Sequence, residues 1–278
     1  MPRLSTIIVS YNARADLEVC LASLVRHPPS MDHEIVIVDN ASTDGTPAAI
    51  RERWTGMRLI EAGANVGFAR ANNLGIRQTS GELVLLLNGD TIIGPGAIDA
   101  LVRALDRRSD VAVVGPRLVD ANGRPELSFG RMMGPFAELW QKTLIRGLAR
   151  GVGPIVAHVE RATAREREVD WVSGACLLVR RTDAEQAGLL DERYFMYTED
   201  VDFCAAIRAR GRKVLFTPAA QVVHLRGRSV ASAPRATEAA YRRSQLAFYA
   251  KHHPAWTLLL RAYLRVRGRL PDNPGGRS

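Results

Sequence analysis

Long apolar runs are missing from this 278-residue chain. No uninterrupted stretch reaches the roughly 18 residues of a spanning helix, which excludes a conventional transmembrane segment. Cysteine is scarce. The three present, Cys20, Cys176 and Cys204, are odd in number and far apart. That excludes a disulfide scaffold and leaves them as reduced, buried small hydrophobes rather than zinc ligands. Repeats and low-complexity blocks are absent, so a solenoid, a collagen-like chain and a disordered chain are excluded. The opening MPRLSTIIVSYN lacks the charged, apolar, then small-residue order of a secretory leader, and the expected location is the cytoplasm. Two phosphate-binding fingerprints are also lacking. There is no G-x-G-x-x-G after the first apolar run and no G-x-x-x-x-G-K-[ST], which disfavours dehydrogenases and P-loop nucleotidases.

What is present is ordinary for a folded α/β domain: 46% hydrophobic and 24% charged residues. The net charge of +9 is unevenly placed. Residues 226–278 carry 11 basic groups against only Glu238 and Asp272, so they account for all of it, and residues 1–225 balance to zero. A basic terminal segment seeks a polyanion, whether anionic lipid, nucleic acid or a phosphorylated substrate.

Residues 1–225 read as one domain of alternating strands and helices. Strands are expected at 4–10, 34–39, 57–61, 82–87 and 111–115, with helices at 16–26, after Pro47, at 69–79 and at 95–107. Such alternation predicts a mostly parallel sheet with helices on both faces, and ligands bound outside the carboxyl ends of its strands. Residues 122–168 are weakly patterned, with one helix at 136–148, and are expected to form an insertion or acceptor-side lid. One strand is expected at 170–180, a helix at 200–210 stopped by Gly211, and two short strands at 213–216 and 221–224. Residues 226–278 are expected to be an amphipathic helical tail.

Polar clusters fall at the expected strand ends: Ser10-Tyr11-Asn12, Asp39-Asn40 and Asn88-Gly89-Asp90. Tyr11 can stack on a base, and Asp39 can accept a base N–H. Asn65, Gly67, Phe68 and Asn72 lie in a Gly/Asn-rich loop that opens a helix, where a ligand fits. Asn88-Gly89-Asp90 is either a plain turn or a hard carboxylate suited to Mg²⁺ or Mn²⁺. Glu199, Asp200 and Asp202 are either first-turn acids that complement a helix dipole, or a general base whose proton affinity is raised by the surrounding aromatics. His224 is either structural or a metal ligand completed by a carboxylate elsewhere, and Arg226 and Arg228 after it can hold a pyrophosphate.

The ordered set TIIVSYN, IVDNASTDGT, NVGFARANNLGI, LVLLLNGD, WVSGACLLVRR and DERYFMYTEDVDF…VVH spans residues 4–224. It resembles the inverting family 2 glycosyltransferases of the GT-A fold, and within them the bacterial rhamnosyltransferase type. The resemblance implies that Tyr11 and Asp39, with Ser10 and Asn12 beside them, hold the nucleotide base. It places Asn65, Gly67, Phe68, Asn72, Asn88 and Gly174 around the nucleotide sugar. Asp90 and His224 become ligands of Mg²⁺ or Mn²⁺, although the first acid of the family's D-x-D motif is replaced here by Asn88. Asp200, with Glu199 beside it, becomes the catalytic base. Many family members have Arg where this chain has Asn72, and whether nearby Arg70 substitutes is open.

The implied reaction moves a sugar, L-rhamnose from dTDP-rhamnose or a hexose from a UDP donor, onto a glycan or lipid-linked acceptor in cell-wall or surface polysaccharide synthesis. In the tail, Trp256, Leu260 and Leu264 are spaced by four, as are Arg261, Arg265 and Arg269. The two stripes describe either a helix packed on the domain or an element at the inner membrane face, where the protein would be peripheral. A nucleotidyltransferase would need a Gly-rich, basic loop after the first strand, and VSYNARAD is not one. A nucleic-acid-binding module would need a fold signature to accompany the basic tail, and none is present, so no nucleic-acid partner is expected.

Overall fold

The computed structural model describes residues 1–225 and 234–271. Its first half follows the alternation expected from sequence: β1 (Leu4–Ser10), α1 (Arg14–Arg26), β2 (His33–Asp39), α2 (Thr46–Arg53), β3 (Arg58–Glu61), α3 (Phe68–Arg77), β4 (Leu83–Asn88), α4 (Ala97–Asp106) and β6 (Val111–Val119). A short strand that the sequence did not announce, β5 (Thr91–Ile93), follows the Gly89-Asp90 turn. The main sheet runs β3-β2-β1-β4-β10-β6-β11-β5, where β10 is Cys176–Arg180 and β11 is Lys213–His224. Its contiguous pairs β1–β2, β2–β3, β1–β4 and β6–β11 are parallel, and β10 is inserted antiparallel between β4 and β6.

Both faces of the sheet are covered, which is why its strands read as continuous apolar runs rather than alternating ones. Leu4, Ile8, Ile37, Leu85 and Leu87 face α1 and α4 in one cluster. Ile7, Val36, Val38, Val84 and Leu86 face α3 and α8 (Glu199–Ala209) in the other. Helix α8 stops as expected: Gly211 takes φ +78° just past its end, and its N–H returns to the Arg208 carbonyl. The three cysteines are free and buried, and burial pushes the Cys20 thiol up to about 12.

Several boundaries differ from expectation. The strand expected at 170–180 is two pieces, β9 (Trp171–Val172) and β10, broken by a turn at 173–175. The two strands expected at 213–216 and 221–224 are one strand, β11, bent by a register shift between Thr217 and Gln221. The stretch 122–168 holds two helices, α5 (Pro135–Ala149) and α6 (Gly153–Thr163). It is woven into the sheets, through β7 (Phe129–Gly130) paired with β9 and β8 (Arg167–Val169) paired with β11. Pairing partners this distant cannot be read from local periodicity. The last strand is followed, after the undescribed 226–233, by helices α9 (Pro234–His252) and α10 (Pro254–Val266). The basic Arg226 and Arg228, read as holders of a pyrophosphate, lie outside the described residues.

Helix α9 is docked against the domain. Phe248 is fully buried with Tyr194, Val201, Met133 and Tyr249. Buried Asp202 accepts from the Tyr194 hydroxyl (3.1 Å) and the Lys251 ammonium (2.8 Å), and His252 Nε2 lies 2.6 Å from it. From the other side, Glu138 on α5 accepts from the hydroxyls of Tyr241 (3.0 Å) and Tyr249 (2.9 Å). Of the apolar stripe on the tail, Leu264 is buried and Leu260 packs inward, as the reading of a helix packed on the domain expects, while Trp256 stays partly exposed. The outward face of α10 carries other apolar side chains.

Candidate active site

The parallel register sets the floor of the site. Ser10 pairs with Asp39 across β1 and β2, and Val9 pairs with Asn88 across β1 and β4. The ends of β1, β2 and β4 therefore sit side by side at one carboxyl edge, with Ser10 and Asp39 on one face and Asn88, in register with Val9, on the other. Their Ser10 Oγ, Asp39 Oδ1 and Asn88 Oδ1 atoms are buried and have no hydrogen-bond partner among the described residues. A folded chain leaves few buried polar atoms unpaired, so three on neighbouring strand ends mark a place built for a polar ligand. The other Asp39 oxygen accepts the Ser42 N–H at 3.0 Å, which fixes the carboxylate's orientation. Tyr11, next along β1, is about half exposed and open to a stacking partner.

Asn12 has a different task. It sits at φ +48°, donates its backbone N–H to Ser42 Oγ, and accepts the Thr43 N–H at 2.7 Å. It ties the loop after β1 to the loop after β2. Asp44 in that second loop accepts from the backbone of Arg14 and Thr46; these bonds outweigh its partial burial and hold its carboxyl below the ordinary range. Asn65 is also a loop organiser, accepting from Asn40 Nδ2 and from the Gly67 N–H.

Gly67 has a physical requirement behind it. Its φ is +85°, and a Cβ there would lie 2.4 Å from the Phe195 carbonyl oxygen. That same oxygen accepts the Phe68 N–H at 2.7 Å, so the start of α3 is stitched to the loop before α8. Asn72 is buried, donates to the Phe68 carbonyl, and keeps Oδ1 unpaired among the described residues. Exposed Arg70 pairs with Glu192 at 3.8 Å, away from the Asn72 side chain's partner.

The pair most distant in sequence is brought together by β5. His224 is in register opposite Thr91, and the Leu225 N–H donates to the Asp90 carbonyl at 2.8 Å. The His224 Nε2 atom then lies 3.3 Å from Asp90 Oδ1. Its Nδ1 lies 3.3 Å from Glu126 Oε2, a residue the sequence reading did not single out. Burial alone would suppress the imidazolium, but the two carboxylates outweigh it and raise the His224 pKa to about 9. An imidazole oriented by a carboxylate on one nitrogen and facing a second carboxylate with the other forms a buried ion-pair chain whose donors also suit a divalent ion. No group of three His, Cys, Asp or Glu side chains is arranged as a metal cage among the described residues. Asp90 and His224 offer two donors, which suits an ion that takes its remaining ligands from phosphate oxygens and water.

The third component reaches the same place through the 173–175 turn. The Asn88 N–H donates to the Ala175 carbonyl, and the Gly174 N–H donates to Asp200 Oδ2 at 2.8 Å. A Cβ on Gly174 would press on Asp200 Cβ at 3.2 Å and approach the Phe68 ring at 3.6 Å, so the turn, α3 and α8 converge there. The other Asp200 oxygen accepts the Val201 N–H. Burial raises the Asp200 pKa despite these bonds. Glu199 is buried with Oε2 unpaired among the described residues, and burial, then the neighbouring Asp200, raises its pKa well above the ordinary value. Tyr197 and Thr198, just before them, adopt left-handed φ values of 69° and 65°. Such backbone strain at the entry to a charged cluster is characteristic of functional sites. All three acids lie in the first turn of α8, where they complement its dipole; Thr198 forms no side-chain cap, Asp200 accepts the Val201 N–H, and Asp202 serves α9.

Two surface hollows, of 340 and 320 Å³, lie elsewhere, one around Trp54 and one around Asn73 and Lys251. The unpaired polar atoms, not those hollows, define the site.

A mostly parallel sheet carries an acid-bearing turn after its fourth strand, a His on its last strand facing that acid, and Asp200 tied to the same strand end through the 173–175 turn. The chain belongs to glycosyl transferase family 2, whose sequence model matches residues 5–186. It is 34% identical to the N-acetylglucosaminyl-diphospho-decaprenol L-rhamnosyltransferase of Mycobacterium tuberculosis, over 96% of this chain and 94% of that protein. The low-salt glycan biosynthesis hexosyltransferase Agl10 of Haloferax volcanii is 29% identical over 74% of this chain and 61% of its own length. Among solved structures, the mannosyltransferase PcManGT from Pyrobaculum calidifontis, in complex with GDP-Man and Mn²⁺, aligns with TM-score 0.64 and 21% identity, covering 94% of this chain and 69% of that one. Staphylococcus aureus TarS aligns with TM-score 0.57 and 16% identity over 89% of this chain and 65% of its own. These neighbours share the GT-A fold.

Proposed function

We propose that the protein transfers L-rhamnose from dTDP-rhamnose to a hydroxyl of a lipid-diphosphate-linked glycan, with inversion, in cell-wall polysaccharide synthesis. The observation that carries the donor site is the unpaired buried oxygens of Ser10, Asp39 and Asn88 on neighbouring strand ends at one carboxyl edge. The sugar and acceptor follow the 34% identical mycobacterial relative, which spans nearly all of both chains. A UDP-hexose donor is the alternative, favoured by the hexosyltransferase relative.

In this reading Asp39 accepts a base N–H through Oδ1, Tyr11 stacks on the base, and Asn88 meets the ribose. Asp90 and His224 hold Mg²⁺ or Mn²⁺, which supplies positive charge opposite the donor's diphosphate. Asp200 takes the proton of the acceptor hydroxyl. As that O–H bond breaks, the oxygen bonds to the anomeric carbon from the face opposite the diphosphate. The anomeric carbon–oxygen bond breaks, and its electron pair leaves with the nucleotide. Two backbone N–H donors keep the Asp200 carboxylate aimed, and burial raises its proton affinity toward the operating pH. Glu199, buried next to Asp200, has its charge suppressed by burial and by that neighbour. The reaction takes place at the cytoplasmic face of a membrane that carries the acceptor.

The test is a panel of sugar nucleotides with Mn²⁺, read first by thermal stabilisation and then by transfer. We expect dTDP-rhamnose to lead. Asp200→Asn should cut transfer at least about 100-fold, within the range of general-base losses, while donor affinity stays within a factor of two or so. An active Asp200→Asn variant refutes the assignment.

A further inference from the structure

Helix α10 presents its apolar side outward. Leu260 and Leu264 face the domain, while Leu259 (61% exposed) and Val266 (86%) stand in solvent with Leu258 and Tyr263. The face does not end with the helix. The Trp256 ring packs edge-on against Phe136 of α5, at 6.3 Å between ring centres. Phe136 (78% exposed) continues along α5 into Leu139 and Trp140 (59%), one helical turn on. The result is one apolar surface built from two helices 120 residues apart in sequence. It is larger in character than the scattered exposed apolar side chains of an ordinary surface.

Its margin is basic. Arg261 and Arg265, spaced by one turn, lie along one edge of the apolar face of α10, with Arg267 on the other. Arg146 rises from α5. No carboxylate among the described residues pairs with any of these four. The surface is connected to the candidate site through α9. Helix α9 links α10 to the strained loop before Asp200, where the Ser244 hydroxyl donates to the Met196 carbonyl and the Tyr241 ring packs on Tyr197.

We infer that Phe136, Leu139 and Trp140 of α5, together with Trp256, Leu259 and Tyr263 of α10, form one composite face that seats the protein on an anionic lipid bilayer. Rings and aliphatic side chains enter the headgroup boundary, and the arginines meet lipid phosphates. Charge complementarity selects lipid as the occupant, because the chain carries its whole net positive charge in the segment that includes this helix. The inference deepens the acceptor reading above and rests on it for its purpose: a base beside a membrane-seated face reaches a sugar held at the headgroups.

The test is co-sedimentation of the full chain with vesicles of phosphatidylglycerol or of phosphatidylcholine. Binding is expected to the anionic vesicles and to fall steeply with salt. Phe136→Asp, remote from the tail in sequence, should weaken it about tenfold, as should Leu259→Asp and the pair Arg261→Glu/Arg265→Glu. Unfolding midpoints and dTDP-sugar stabilisation should stay unchanged in all three. No vesicle binding by the native chain overturns the inference. Phe136→Asp binding as the native chain does assigns docking to the tail alone and also overturns it. A dimer, seen by light scattering and dissolved by these variants without any vesicle binding, gives the face to a second copy instead. Vesicle binding without stabilisation by any sugar nucleotide sinks the enzymatic reading and leaves the docking face standing.

Discussion

Four similar acidic side chains, Glu126, Glu199, Asp200 and Asp202, do four different jobs. Asp202 is spent on Tyr194, Lys251 and His252, so it fastens a helix and is not free for chemistry. Asp200 is held by backbone donors and remains available. Glu199 is buried, with its pKa raised by burial and by Asp200. A carboxyl group whose folded pKa lies above its unfolded value of about 4.3 favours folding while protonated. That contribution is full below the unfolded value and is lost as pH rises toward the folded one. Glu199→Gln should therefore flatten the decline of urea midpoint between pH 4 and pH 8, and a variant curve parallel to the native one would contradict this. Glu126 orients His224 from behind. Glu126→Gln should weaken Mn²⁺ affinity about 10- to 100-fold by calorimetric titration, as carboxylate partners of metal-ligating histidines do.

At the scale of elements, the site depends on joints rather than on the regular structure. The turn at 173–175 joins β4 to α8, and the Gly67–Phe195 contact joins α3 to the loop before α8. Gly67→Ala meets both a left-handed φ and a 2.4 Å contact with backbone. It should cost about 1–3 kcal/mol in thermal unfolding and lower donor affinity, because α3 must withdraw from the Phe195 carbonyl. Helix α9 is a second kind of joint, an apolar ring locked by polar clasps at each end. Phe248→Ala should cost about 3–5 kcal/mol by chemical denaturation, the range for truncating a buried aromatic.

For the molecule as a whole, binding and stability are one measurement. A donor bound only by the folded chain adds about 2.7 kcal/mol at 100 times its dissociation constant, a rise of several degrees in midpoint for a chain of this size. Sugar nucleotide with Mn²⁺ should give that rise. Asp90→Ala should remove the part that depends on the ion and leave the part that depends on the base, held by Asp39 and Tyr11. An unchanged ion response in Asp90→Ala would move the metal site elsewhere. No helix among the described residues is long and apolar enough to cross a membrane.

The sequence by itself determined the alternating strands and helices of residues 1–119, because runs buried on both faces leave an unbroken apolar signature. It also showed the polar ends of those strands, since Ser10 and Asp39 close β1 and β2 and Asp90 lies in the turn just past β4. The acids at 199–202 were legible as a cluster, but not their division of labour, which depends on whether a backbone donor or a lysine 49 residues away reaches each carboxylate. Only the tertiary structure decided that His224 meets Asp90, because the joining strand β5 is three residues long and too short to show a period. Packing likewise chose which side of α10 faces water: spacing of four describes a stripe, but only the neighbouring helices determine whether that stripe is covered.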